Sequence, residues 1–244
     1  MSENSPVRTE WIRVPTTGGA DGGGFDAFLA TPPSGNGPGL LLLQEIFGVN
    51  AHIRGVAEQY ALAGFTVIAP DLFWRQATRV ELGYVGDERE RAMALMRTVN
   101  RDDALADMQA SVAALRALPA CGGKVGAIGY CMGGRLAFAA AALCGVDAAV
   151  AYYGGGIATQ LDLAPRIRCP LQFHHAGRDH AIPADAVAAI RAAMAASPAA
   201  DVAEFHDYAD AEHGFNCWER ASYHAPSSAR AHARTLELFA RTLF

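Results

Sequence analysis

The stretch "KVGAIGYCMGG", residues 124–134, decides how the rest of the chain is read. Its first half is an apolar run of strand character. Its second half leads into "GGRLAFAAAALC" (133–144), a small-residue helix with Gly145 as its stop signal. Between them "GYCMGG" (129–134) has the small-x-nucleophile-x-small frame of a strand that turns sharply into a helix. Gly129 and Gly133 permit such a turn because neither carries a side chain that would clash. Cys131 stands at its centre. A helix that starts there directs unpaired N–H groups and positive potential at the sulfur, which favours thiolate. A buried structural cysteine requires neither the flanking glycines nor the helix start.

Short apolar strands alternate with helical stretches on both sides of this turn. "WIRV" (11–14) and "FDAFLATP" (25–32) flank the glycine-rich "TTGGADGGG" (16–24), the pattern of an antiparallel hairpin. "GLLLLQE" (39–45) is a continuous apolar run, as expected of a strand covered on both faces. A helical pattern at 51–63 ends at Gly64, and "FTVIAPDLF" (65–73) is the next buried strand. A charged helical region runs from Asp87 to about residue 117, broken at "NRDD" (100–103). Further strands are expected at 147–153, 170–175 and 202–207, with helices over 183–196 and 226–242. This alternation predicts an α/β fold: a mostly parallel sheet with helices on both faces and an N-terminal antiparallel hairpin. In such sheets ligands bind beyond the carboxyl ends of the strands. With no linker or shift in composition, a single domain over 1–244 is expected.

Composition excludes several classes. The chain is 51% hydrophobic and 18% charged, ordinary for a globular enzyme and too apolar for disorder. A formal charge of −5 gives no reason to expect nucleic acid or anionic lipid as a partner. The polar start "MSENSPVRTE" lacks the apolar core of a signal peptide, and no run of about eighteen apolar residues exists to span a membrane. The five cysteines (121, 131, 144, 169 and 217) are odd in number and include no C-x-x-C pair, which points to free thiols in a reducing cytoplasm. A small-molecule substrate and a monomer or small homo-oligomer are the expectations that remain. No strand-linked G-x-G-x-x-G or phosphate loop occurs.

Two later stretches supply partners for Cys131. "HHAGRDH" (174–180) places Asp179 just after the strand expected at 170–175, and "ADAEHGF" (209–215) places His213 after the strand at 202–207. Nucleophile, acid and histidine follow in that order, each at a strand carboxyl end. His213 would take the thiol proton, and Asp179 would hold the ring's tautomer and steady its positive charge. The bland alternatives are a turn or capping aspartate and a loop histidine. Metal binding by His174, His175 and His180 is disfavoured, because adjacent strand residues point to opposite faces.

The chain resembles the dienelactone hydrolase family, cysteine-type members of the α/β-hydrolase fold. The resemblance rests on "QEIFGVN" (44–50), "PDLFWRQ" (70–76), "GKVGAIGYCMGG" (123–134), "YYGGG" (152–156), "AGRDH" (176–180) and "EHGF" (212–215). It implies Cys131 as nucleophile with Asp179 and His213, and Glu45 as a carboxylate that helps to deprotonate the thiol when substrate enters. It implies an oxyanion hole from the backbone N–H groups of Ile46 and Met132, which suits the physics of one donor after the nucleophile and one after an earlier strand. No cofactor and no metal are implied. Arg75 matches the first of two arginines that hold a substrate carboxylate. The second would fall at Cys217, so Arg220, on the same face if that segment is helical, or Arg178 is the available substitute. Phe47, Trp74, Tyr152 and Tyr153 could line the pocket, and with only about 17 residues at 153–169 an uncapped site is expected.

The activity implied is opening of a small unsaturated lactone through a thioester on Cys131. The rival readings are a short-chain esterase or thioesterase with the same machinery, a redox-sensing thiol resolved by Cys121 or Cys217, and a non-catalytic binding member of the fold.

Overall fold

In the computed structural model, which describes residues 6–16 and 23–244, the apolar runs become strands and the periodic stretches become helices. Packing groups the described residues into two compact units. The first runs to Gly126 and includes Phe244; the second is Ala127–Leu243.

In the first unit β1 (Arg8–Val14), β2 (Phe25–Thr31), β3 (Gly37–Leu43) and β4 (Thr66–Pro70) take the order β1-β2-β4-β3, followed by the start of β5 (Cys121–Tyr130). β1 and β2 pair antiparallel, as do β2 and β4, whereas β3 and β4 are parallel. The expected hairpin is therefore present, and residues 17–22 of its glycine-rich turn lie outside the described residues, as do residues 1–5. Leu40 to Leu43 are fully buried, which explains why β3 reads as an unbroken apolar run. That strand ends at Leu43, so Glu45 sits in the loop beyond it.

Helices α1 (Ala51–Leu62), α2 (Gly86–Thr98) and α3 (Arg101–Ala117) complete this unit. The break expected at 100–103 is a helix start: the Asn100 side chain accepts from the N–H groups of Asp102 and Asp103, at 2.8 and 3.2 Å. Asp102 and Asp103 then lie in the first turn of α3, where the helix dipole favours negative charge. Asn50 caps α1 in the same way, accepting from the Ile53 N–H at 3.2 Å.

The second unit begins within β5 and continues the order as β5-β6-β7-β8, through β6 (Ala148–Tyr152), β7 (Leu171–Ala176) and β8 (Ala203–Tyr208). β6, β7 and β8 pair in parallel. Around them lie α4 (Met132–Leu143), α5 (Ala184–Ala195) and α6 (Ala225–Leu243). Residues 157–166, which gave no helical signal, form two short 3₁₀ turns packed on α4 and α5. The fold is thus α/β with a mostly parallel sheet. Among the described residues no helix is long and apolar enough to cross a membrane.

Replacing Asn100 by Ala should lower stability by about 1 kcal/mol, as loss of a capping oxygen does elsewhere. Asp at this position should retain most of it. Urea midpoints at unchanged slope would show both effects.

Candidate active site

The turn at Cys131 is built from backbone crowding. A Cβ added at Gly129 would lie 1.9 Å from the Gly133 carbonyl oxygen, so the strand end and the helix start cross where no side chain fits. Cys131 itself takes φ 56° and ψ −113°, a conformation that costs an L-residue of order 1–3 kcal/mol and persists only where the surroundings impose it. The surroundings do so here. The Cys131 N–H donates to the Tyr152 carbonyl at the end of β6 (3.0 Å), and the Cys131 carbonyl accepts from Gly134 and Arg135 in the first turn of α4 (3.0 and 3.3 Å). Gly134 permits that approach, since a Cβ there would stand 2.5 Å from the Tyr152 oxygen. Met132 opens α4, where N–H groups have no acceptor within the helix.

The loops after β7 and β8 are fastened to each other. Gly177 N–H donates to the Tyr208 carbonyl (2.8 Å), and Arg178 N–H donates to the Ala211 carbonyl (2.9 Å). Gly177 is needed because a Cβ there would meet Ala209 backbone atoms at 2.6–3.0 Å. This contact sets Asp179, on the first loop, against His213, on the second. Asp179 Oδ2 and His213 Nδ1 lie 2.7 Å apart, and Asp179 Oδ1 accepts from the Ala181 N–H at 2.8 Å. The other side of the His213 ring is hydrogen-bonded to the Cys131 side chain. The three expected residues are therefore in serial contact: carboxylate, imidazole and sulfur.

Charge follows from this contact. Burial alone would push the His213 imidazole down, but the hydrogen bonds and negative charges of Asp179 and Cys131 outweigh it and raise its pKa from 6.5 to about 10. The ring therefore holds a second proton through neutral pH. Burial raises Cys144 to about 12 and, aided by the charge of Asp147, Cys169 to about 11, so both stay protonated and inert at neutral pH. All five cysteines are free of disulfide bonds.

The remaining candidates divide by surroundings. Glu45 is 1% exposed, and one of its carboxylate oxygens lies within 4.8 Å of a ring nitrogen of the fully buried His52. Nothing in the sequence marks His52, the second residue of α1. Ile46 and Phe47 are buried, Phe47 edge-on to Tyr84. Arg75 is gripped by Asp107, with Nη1 and Nη2 donating to its two carboxylate oxygens at 2.5 and 3.1 Å, and its Nε stands 3.6 Å from Asp103. Trp74 donates to the same Asp107 oxygen at 2.9 Å and stacks on Phe25.

Tyr152 is fully buried, with its hydroxyl on Thr235 at 2.8 Å and its ring over His174. Tyr153, also fully buried, takes φ 35° and presents its ring edge-on to His213, a contact that "YYGGG" does not reveal. The segment after His213 is a series of turns and not a helix, so Arg220 does not share a helical face with Cys217. Its guanidinium instead lies over Gly214, at 2.4 Å from where a Cβ would be. Arg178 pairs with Asp210 at the surface. His174 and His175 point apart as expected: His174 Nδ1 bonds the Tyr208 hydroxyl at 2.8 Å, while His175 stacks on Phe173 and Phe205.

Comparison with known proteins gives a consistent result. A model of the dienelactone hydrolase family matches residues 25–243. A carboxymethylenebutenolidase of Pseudomonas putida is 36% identical over 221 residues, covering 90% of this chain and 92% of the relative. That of Pseudomonas sp. strain P51 is 36% identical over 234 residues, covering 96% and 95%. A solved chain from Klebsiella pneumoniae subsp. pneumoniae MGH 78578 matches with a TM-score of 0.84 at 29% identity, covering 96% of this chain and 99% of its own.

Two outcomes follow from the geometry. Gly129→Ala should destabilise the protein by about 2–3 kcal/mol or more, because the clash is with backbone and cannot be relieved by a side chain; thermal unfolding would measure it. The His213 ring should titrate near 10 in NMR of histidine-labelled protein. Asp179→Asn and Cys131→Ala should each move that titration down, since both partners favour the protonated ring.

Proposed function

This chain belongs to the dienelactone hydrolase family and is a hydrolase acting on carboxylic esters, and on that premise we propose that it opens a small unsaturated lactone with Cys131 as nucleophile. What carries the reading is the serial contact of Asp179, His213 and Cys131 at a backbone turn that strains the cysteine. His213 takes the thiol proton ahead of attack, and the sulfur of the resulting thiolate–imidazolium pair adds to the lactone carbonyl to form a tetrahedral oxyanion, to which the Met132 N–H donates. The ring C–O bond then breaks, and the imidazolium gives its proton to the departing enolate oxygen. Water, losing a proton to His213, attacks the resulting thioester and releases the acid, while Cys131 leaves as thiolate beside the imidazolium, which restores the starting pair. Asp179 holds Nδ1 throughout, so that Nε2 faces the sulfur.

The same reading extends to two residues of the first unit: Glu45 as the carboxylate that assists removal of the thiol proton, and Ile46 as the second oxyanion donor. Sulfur suits this scheme because a thiol, with a reference pKa of about 8.5, is converted to a strong nucleophile far more readily than a hydroxyl. No cofactor or metal enters any step.

A second reading changes only the substrate, to a short-chain neutral ester or thioester. It is favoured by the state of the arginines. Both terminal nitrogens of Arg75 are engaged by Asp107, and Cys217 occupies the place where a second carboxylate-binding arginine is expected. Arg220 lies over the turn that follows His213.

Mass spectrometry of protein mixed with dienelactone, aryl acetates and acyl thioesters should find an acyl adduct on Cys131 and on no other cysteine. Cys131→Ala should abolish turnover, and His213→Asn should reduce it by a factor of about a thousand or more. Turnover that survives Cys131→Ala would refute the mechanism. Relative rates on the three substrate types decide between the two readings.

A further inference from the structure

A cavity of about 460 Å³ opens in the second unit where the end of β8 meets the start of α6, and it is lined in part by Tyr208, whose hydroxyl bonds the buried His174. Its walls carry two arginines, Arg230 and Arg234, one helical turn apart on α6, together with His224, Asp207, Asp210 and the Tyr208 hydroxyl. The two carboxylates on this wall are already matched. Asp207 accepts from Arg191 Nη2 at 2.6 Å and lies 3.7 Å from His175 Nδ1, and Asp210 accepts from Arg178 Nη2 at 2.7 Å. Among the described residues no carboxylate pairs with Arg230 or Arg234; Arg234 donates only to the Tyr208 oxygen, at 3.2 Å. Counting Asp207 and Asp210 with Arg191 and Arg178 as two neutral pairs, the wall keeps two uncompensated positive charges.

The Tyr208 hydroxyl cannot supply a negative balance. Burial raises its pKa above 10, and its proton is committed inward. Gln172 Oε1, 2.8 Å from His174 Nε2, can only accept, which fixes the proton on Nε2 and leaves Nδ1 to accept from Tyr208. The phenol oxygen is thus left to accept from Arg234, and the guanidinium keeps its remaining N–H groups for a ligand.

We infer that this cavity is a binding site for a small dicarboxylate, held by Arg230 and Arg234. Two features select that class. Side chains four apart on a helix stand about 6 Å from each other, so the two guanidinium forks present separate bidentate sites and not one shared point. The cavity also falls in the size range of pockets for small organic ligands and is much roomier than a single inorganic oxyanion requires. None of its residues takes part in the proposed chemistry at Cys131, so the site stands or falls independently of the lactone reading.

Calorimetric titration of the full-length protein with maleate at low ionic strength tests the assignment. One equivalent should bind, acetate should bind about tenfold more weakly or worse, and Arg230→Gln should weaken maleate by about tenfold or more. Arg230 is exposed on α6, so this variant should keep the wild-type melting temperature and the wild-type rate on a neutral ester. Arg230→Lys, which keeps the charge without the fork, should fall between the two. Equal affinity in wild type and Arg230→Gln would overturn the proposal. So would inorganic phosphate binding as tightly as maleate, or a loss of maleate affinity in Arg220→Gln that Arg230→Gln does not share.

Discussion

Where β5 runs into α4, two stretches of backbone pass so closely that the Gly133 carbonyl fills the volume a side chain at 129 would need. The geometry of the site depends on that crossing. Because the chain must reverse within one residue, Cys131 is driven to positive φ, and its side chain is thrust clear of both the strand and the helix. The strain is held by ordinary forces, chiefly the hydrogen bond to the Tyr152 carbonyl and those of the first turn of α4. It need not be relieved elsewhere, because Gly134 lets the helix start settle against the end of β6.

A second close approach brings the partners to the sulfur. Gly177 allows the loop after β7 to lie against Ala209 in the loop after β8, and the two N–H donations across that contact fix their spacing. Asp179 and His213 are then neighbours by construction, not by side-chain search. This matters for energetics as well as aim. A carboxylate on a side chain only 1% exposed would be costly alone; here one oxygen takes the Ala181 N–H and the other the imidazole. The imidazole in turn stays protonated because it lies between two acceptors of proton charge.

Local chemistry made most of this legible in the sequence. The glycines around Cys131 act over a few residues, so their residue types announce them, and Asp179 and His213, 34 apart, are picked out by chain order and by their place after strands; at 100–103 the sequence shows only a break, and the capping bonds of Asn100 identify it as a helix start. What escaped depends on longer range or on backbone detail. The grip of Asp107 on Arg75 joins residues 32 apart, and neither segment hints at the other. β3 ends at Leu43, where the apolar residues themselves end, and Gln44 and Glu45 are buried in the loop beyond it, which their polarity does not announce. Arg220 was placed by assuming helical spacing, whereas Gly214, at φ 82°, turns the chain and lets the guanidinium fold back over it. The left-handed φ of Tyr153 has no signature in a bulky residue and comes from its place between β6 and the glycines that follow.

The Arg75–Asp107 pair also constrains how a carboxylate could be recognised. Asp107 is 1% exposed, and withdrawing the guanidinium to meet a substrate would leave a buried charge uncompensated, at about 3–5 kcal/mol. One new surface contact with a substrate carboxylate does not offset that. The Nε edge is different. It faces Asp103, 3.6 Å away, whose side chain is 51% exposed and can turn into water at little cost. If Arg75 reads substrate charge at all, it does so through this edge while Asp107 keeps the fork. Asp107 then serves to aim the arginine, and the exposed Asp103 is the group an incoming anion must displace.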